Sequence, residues 1–218
     1  MDTLRNAVAV IAGAGSGRGR ATAHSLARRG AHILVADIDA PAAQTVTEEL
    51  AAYGTGALAV RCDVASGTSF DELTASALDR FGRVGINLMS VVRSNAVFLP
   101  YLLEQGRGHV TAVVRISEGL RGYLQPQGNG VTVLCPGPVK TSIAASPGPG
   151  SGPAVATRGP GEQFAVLDAD TVGEQVAEAV VASTFMVCTH EHVRDVLVER
   201  ASDRNAFNER QTAAMTDR

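Results

Sequence analysis

Three short apolar runs, separated by segments of helical character, constrain this chain more than any other feature. Ala7 to Ala12 leads into a cluster of glycines and then into Arg18 to Arg29, a stretch of helix formers that stops at Gly30. His32 to Ala36 is the second run and ends in Asp37; Asp39 and Pro41 then supply an N-cap and a first-turn proline for a helix to about Leu50. Ala57 to Arg61 is the third, and the helix after it is marked by Ser69 and Glu72 as a capping box, with Phe70, Leu73, Ala77 and Phe81 on one face. Parallel neighbours need crossover helices, so this alternation implies an α/β fold with a mostly parallel sheet covered on both faces.

Beyond Gly85 the pattern is less regular. Asn87 to Gln105 reads as one long helix kinked at Pro100, His109 to Ile116 as a strand, and Val131 to Leu134 as another. Ser146 to Gly161 holds nine Pro or Gly in sixteen residues, which excludes the interior of a helix or strand. A plain linker is one reading of it; its place just past a strand's C-terminal end favours a lid over a ligand crevice. Thr171 and Glu174 mark the start of another helix, Phe185 to Val187 an edge strand, and the tail from Glu191 is charged and helical. One domain over residues 1–218 is expected.

Charge and cysteine usage narrow the function classes. A formal net charge of −3, with arginines spread along the chain, offers no general attraction to a phosphate backbone or an anionic membrane, so nucleic acid is not an expected partner. Ala7 to Ala12 is too brief for a signal peptide's apolar region or a membrane span, so the expectation is a soluble cytoplasmic protein. Cys62, Cys135 and Cys188 are odd in number, far apart and in no metal-ligand spacing, and read as small buried hydrophobes. His190-Glu191-His192 has no distant partner for a metal and reads as a solvent-facing part of the tail, so no metal site is expected.

The turn after the first run is Ala12-Gly13-Ala14-Gly15-Ser16-Gly17-Arg18-Gly19, in which Gly13, Gly17 and Gly19 follow a G-x-x-x-G-x-G spacing. Glycines suit such a turn because a Cβ would block both its tight path and the approach of backbone N–H groups to a pyrophosphate at a helix N-terminus. A glycine-rich turn alone is weak evidence. Asp37 adds to it: at the end of the second strand, about 20 residues on, a carboxylate accepts ribose hydroxyl protons and repels a 2′-phosphate.

With the glycine turn and Asp37, two further motifs complete a series: the Cys62-Asp63-Val64 step, and Pro136-Gly137-Pro138-Val139-Lys140-Thr141. In order and interval these resemble the successive cofactor motifs of the classical short-chain dehydrogenases and reductases, from about Arg5 to Thr141. The resemblance implies a Rossmann-type doubly wound sheet binding NAD(H). It implies that Gly13, Ser16, Gly17, Arg18 and Gly19 hold the pyrophosphate, that Asp63 meets the adenine amino group and Val64 flanks its ring, and that Pro136, Gly137, Val139 and Thr141 line the nicotinamide. The family usually has threonine where this chain has Ala12, and Arg18 replaces a usual aliphatic residue, giving a cation that contacts the pyrophosphate or tolerates NADP. NAD is favoured over NADP because Asp37 would sit against the extra phosphate.

Two pieces of the family pattern are missing. The text passes from Phe81-Gly82-Arg83-Val84-Gly85 straight to Ile86-Asn87-Leu88 without an Asn-Asn-Ala-Gly motif, and no Tyr-x-x-x-Lys occurs between Tyr123 and Gly128. The expected sheet is therefore shortened by loss of a central strand, with at most a short remnant near Val84 to Ile86 bridging its neighbours, and by loss of one long helix, which would also change how a homo-oligomer assembles. Lys140 is the single lysine, and the tyrosines are Tyr53, Tyr101 and Tyr123. Hydride transfer to or from an alcohol needs a group to move the hydroxyl proton, the family's tyrosine doing so with its pKa lowered by lysine. The nearest substitutes are Ser117, Tyr123 and Lys140, expected at one edge of the sheet. Two functions follow: an NAD-dependent oxidoreductase on a small alcohol or ketone, or a catalytically impaired or internally shortened form that keeps the dinucleotide site.

Overall fold

The structure, a computed structural model, describes residues 4–64, 66–88, 108–111, 114–140 and 165–216. Among the described residues seven parallel strands run β1 (Val8–Ala12), β2 (His32–Asp37), β3 (Ala57–Arg61), β4 (Ile86–Leu88), β5 (Gly108–Thr111), β6 (Asn129–Cys135) and β7 (Met186–Cys188). They lie in the order β3-β2-β1-β4-β5-β6-β7. The described helices are α1 (Gly17–Arg28), α2 (Ala40–Leu50), α3 (Gly67–Phe81), α4 (Val114–Leu124), α5 (Ala169–Ala182), α6 (Glu191–Ser202) and α7 (Arg204–Thr216). The chain builds outward from β1 to β3, then starts again at β4 on the other side of β1. This reversal puts a crevice beyond the C-terminal ends of β1 and β4, the place where open α/β sheets bind ligands.

The side chains of β1 and β2 alternate between two cores, as a strand's period of two requires. Ala9, Ile11, Ile33 and Val35 pack with Ala23, Leu26 and Ala27 of α1, Val46 and Leu50 of α2, and Val176 and Val180 of α5. Val10, Leu34 and Ala36 pack on the other face with Phe70, Leu73 and Ala77 of α3. Both faces of the central strands are thereby dry, which is why these segments are unbroken apolar runs.

The first half of the chain keeps the expected elements to within a residue or so, with one exception repeated later. Two helices begin before the capping pattern that marked them. Ser66 caps α3 by accepting from the Ser69 amide (3.4 Å), and Asp168 caps α5 by accepting from the Thr171 amide (2.6 Å). In each case the residue taken for the cap is the third residue of the helix, whose amide the true cap satisfies.

Larger corrections fall after Gly85. The central strand is curtailed to a short remnant and not wholly lost: β4 keeps three residues and pairs on one side with Ala9 to Ile11 of β1 and on the other with His109 to Thr111 of β5. Shortened, it still satisfies the backbone of both neighbours over its length. Asn87 and Leu88 therefore belong to a strand and not to a helix; the remainder of the expected helix, 89–107, lies outside the described residues. A helix does stand before β6, of eleven residues. β5 ends at Thr111, and Val114, Arg115 and Ile116, read as strand from their β-branched character, open α4. The parallel pairing of β5 with β6 demands a crossover, and that demand overrides local strand preference. Buried Ser117 and Leu124 with half-buried Leu120 mark the inward face of α4 at helical spacing.

Candidate functional site

The turn between β1 and α1 is shaped by backbone contacts. Gly13 has φ of +70°, in the left-handed region, and the Ala14 amide bonds back to the Ala36 carbonyl (3.1 Å), tying the turn to the end of β2. A Cβ on Gly19 would lie 2.1 Å from the Gly13 carbonyl oxygen, so the first turn of α1 seats directly on the turn that precedes it. The first bond of the helix runs from the Arg20 amide to the Ser16 carbonyl (3.1 Å), so the Gly17, Arg18 and Gly19 amides have no helical carbonyl to bond. Pointing out of a helix N-terminus at the switch point, they form a cradle for an anion. Arg18 is half-buried beside it, with no side-chain hydrogen bond or ion pair among the described residues.

Asp37 is fixed against this cradle. One carboxylate oxygen accepts from the Gly15 amide (2.9 Å) and the other from the Asp39 amide (3.0 Å). A Cβ on Gly15 would meet the Asp37 carboxylate and the Ala42 methyl at 2.9 Å, so Gly15 is required for this contact although the G-x-x-x-G-x-G spacing passes over it. Each oxygen retains acceptor capacity for a hydroxyl. Asp63 follows β3 next to this end of the sheet, where the Cys62 amide bonds to the Asp37 carbonyl (2.9 Å), and Val64 is exposed beside it.

The Pro136-Gly137-Pro138-Val139 loop leaves the C-terminal end of β6. The Gly137 amide donates to the Thr189 hydroxyl (2.9 Å), and that hydroxyl lies 2.8 Å from His190 Nδ1. Since the oxygen accepts from Gly137, its own hydrogen is available for Nδ1, leaving Nε2–H to donate to the Ala165 carbonyl at 2.7 Å. His190 is thus half-buried against the loop, not solvent-facing as the charged tail suggested; a Cβ on Gly137 would lie 2.4 Å from its Nδ1. His192 is exposed, and among the described residues no three metal-binding side chains converge. Val139 pairs with Leu167, and the Lys140 amide bonds to the Leu167 carbonyl (2.9 Å). The flanks of the Pro/Gly-rich stretch therefore meet; Thr141 and the expected lid at 146–161 lie outside the described residues.

The three candidate catalytic side chains are not gathered. Ser117 and Tyr123, expected on the strand and just past it, both sit inside α4: Ser117 is 0% exposed and Tyr123 58%. Six residues apart on a helix, they face different surroundings. Lys140 is exposed on the loop after β6. The i, i+4 pairs on the helix that joins β5 to β6 include Val114 with Glu118, Ser117 with Arg121, and Gly119 with Tyr123. None pairs tyrosine with lysine.

Comparison with known proteins agrees with the glycine turn. Residues 7–86 match the family model for short chain dehydrogenase. That segment, from β1 to the start of β4, is similar to the short-chain dehydrogenases. It is 30% identical over 141 residues to the 3-hydroxyacyl-CoA dehydrogenase type-2 of Drosophila melanogaster, covering 58% of this chain and 54% of that one. It is 40% identical over 78 residues to the 7alpha-hydroxysteroid dehydrogenase of Escherichia coli strain K12, covering 36% of this chain and 31% of that one. The chain thus matches about half or less of these relatives' length. In fold it is similar to a short chain dehydrogenase/reductase of Burkholderia phymatum solved with NAD, with a TM-score of 0.80 at 24% identity over 94% of this chain and 96% of that one.

No helix among the described residues is long and apolar enough to cross a membrane.

Proposed function

We propose that this chain is an NAD(H)-binding member of the short-chain dehydrogenase/reductase family whose hydride-transfer half is catalytically impaired. One observation carries the reading: the backbone cradle at α1 and its carboxylate neighbour Asp37 are assembled, whereas the helix that would carry the proton-transfer pair carries neither tyrosine nor lysine at the required spacing. The residues present fit a nicotinamide dinucleotide. The Gly17 to Gly19 amides suit the pyrophosphate, Asp37 suits the adenosine ribose hydroxyls, and the Gly137 loop, held by Thr189 and His190, suits the nicotinamide end. When bound, the cofactor supplies a hydride donor or acceptor at the nicotinamide ring. This chain's own residues then bind and orient it; the Asp37 side chain stands where a 2′-phosphate would lie and so favours NAD(H) over NADP(H). Among the described residues no group is assembled for proton movement at a substrate oxygen, since Ser117 is buried and Tyr123 is largely exposed.

The second reading is an active oxidoreductase on a small alcohol or ketone, supported by relatives named as dehydrogenases of hydroxyacyl-CoA and hydroxysteroids. A panel of secondary alcohols with NAD and of ketones with NADH separates the two. The expected outcome is cofactor binding without turnover above background. Sustained turnover on any member of the panel replaces the first reading with the second. In parallel, Asp37→Ala is expected to reduce the preference for NAD(H) over NADP(H) by about ten-fold or more, roughly 1.4 kcal/mol; equal binding of the two cofactors by the unmodified chain would remove the role given to Asp37.

A further inference from the structure

Cys135 and Cys188 are 53 positions apart in the chain and side by side in the sheet, where they are register partners in the parallel pair β6 and β7. Register partners on neighbouring strands stand on the same face, and neighbouring strands are about 4.8 Å apart. That spacing falls within the Cα separation of roughly 4.4–6.8 Å that a disulfide spans. The surroundings of the two thiols differ. Cys135 is 8% exposed and closed in by the sheet, and burial first, then the neighbouring Cys188, pushes its thiol pKa up. Cys188 is half-buried and stands on the wall of an open cavity of about 710 Å³, which also has Met186, His190 and Arg194 in its lining. A volume of that size admits a small molecule.

We propose that Cys135 and Cys188 are a redox-modification site that is converted to an intramolecular disulfide by small-molecule disulfides of the glutathione type. The Cys188 thiolate, reached through the cavity, attacks one sulfur of the small disulfide, forms a mixed disulfide and releases one thiolate, which takes up the proton Cys188 gave up. The Cys135 thiol then loses its proton and attacks the Cys188 sulfur, displacing the second small thiol and leaving the Cys135–Cys188 bond. The protein dithiol is oxidised by two electrons and the small disulfide is reduced to two thiols. The bond closes across the two strands immediately before Pro136-Gly137 on one side and Thr189-His190 on the other, the segments joined by the Gly137 to Thr189 hydrogen bond. Neither residue has a place in the cofactor reading, and the site is tested without any dinucleotide. Cys62, the third cysteine, is buried behind α3 with its thiol directed at the Ser69 carbonyl (3.9 Å) and has no part in it.

The test is oxidised glutathione added to the reduced, folded full-length chain, read by intact mass and by peptide mapping. The expected product has lost two hydrogens, retains no glutathione, and yields one cross-linked species joining the peptides of Cys135 and Cys188. In Cys135→Ser the reaction should stop at a glutathione adduct on Cys188, and Cys188→Ser should react on the order of ten-fold more slowly than the unmodified chain. A stable glutathione adduct on the unmodified chain, three unreacted thiols, or a cross-link that includes Cys62 overturns the proposal. The unmodified chain alone decides it if either variant fails to fold.

Discussion

After β1 and after β5 the chain leaves the same edge of the same parallel sheet, and the two exits are built from different materials. The first is made of backbone: amides of α1 with no helical acceptor, a turn closed by the fit of Gly19 on Gly13, and a carboxylate held by two further amides. The second depends on particular side chains at particular positions on α4, and those positions hold Val114, Glu118 and Gly119 with a buried Ser117 and an exposed Tyr123. A site made of main chain follows wherever the turn folds, whereas a proton-transfer pair disappears with the residues that compose it and tolerates little misplacement. The chain can therefore keep recognition while losing chemistry.

The sharpest way to break this contrast is at the first exit. Gly19→Val places a side chain where backbone oxygen already stands, 2.1 Å from the first added carbon, and should weaken NADH binding by about 100-fold or more, roughly 2.7 kcal/mol. Isothermal titration on protein whose circular dichroism matches the parent checks it; unchanged affinity would mean that the turn is not the cradle. Next in size is the loop after β6. Gly137→Ala drives a methyl into His190 and should destabilise the fold by roughly 1–3 kcal/mol in urea unfolding, as overpacking does, with His190→Ala in the same chain restoring most of the loss. No restoration would mean that His190 does not set that loop.

A smaller effect belongs to the face away from the crevice. Partial burial works against the charge on Glu174, but hydrogen bonds from Arg29, Arg28 and Ser25 together outweigh it and hold its pKa at about 2. A carboxyl lowered on folding stabilises the fold above its ordinary pKa of 4.5, and that contribution fades as the pH falls toward about 2. Because Glu174 is partly exposed and screened, Glu174→Gln should cost less than about 1 kcal/mol at pH 7, and the difference from the parent should vanish in melts near pH 2. A gap of equal size at both pH values would show that the Arg28 and Arg29 pairs are not its source. The smallest effect expected is none: Tyr123→Phe should leave both NADH affinity and background turnover unchanged, and a rate lost in that variant would restore Tyr123 to the chemistry.

The same contrast governs how much was legible in the sequence. Strands β1 and β2 were readable because burial on both faces leaves an unbroken apolar signature, half-buried β3 at the sheet's edge because Ala57 to Val60 is still an apolar run, and the turn after β1 because backbone crowding demands glycine. The starts of α3 and α5 were misplaced by three residues because Ser69 and Thr171 look like caps although their amides are the groups being capped. Val114 to Ile116 misled for a deeper reason: their β-branched pattern favours a strand, and only the parallel pairing of β5 with β6, a fact about the whole sheet, makes them helical. Thr189 and His190 were hidden in a charged tail because their partner, Gly137, lies 52 and 53 positions away, and the pairing of Cys135 with Cys188 was hidden by the same distance.

The central claim is that the exit after β1 is a working dinucleotide site, and a fluorescence titration of the unmodified full-length chain with NADH tests it most directly. The account predicts a signal that saturates at one equivalent of NADH per chain and is displaced by NAD. A signal that rises linearly without saturation, from protein whose circular dichroism shows it folded, would contradict it.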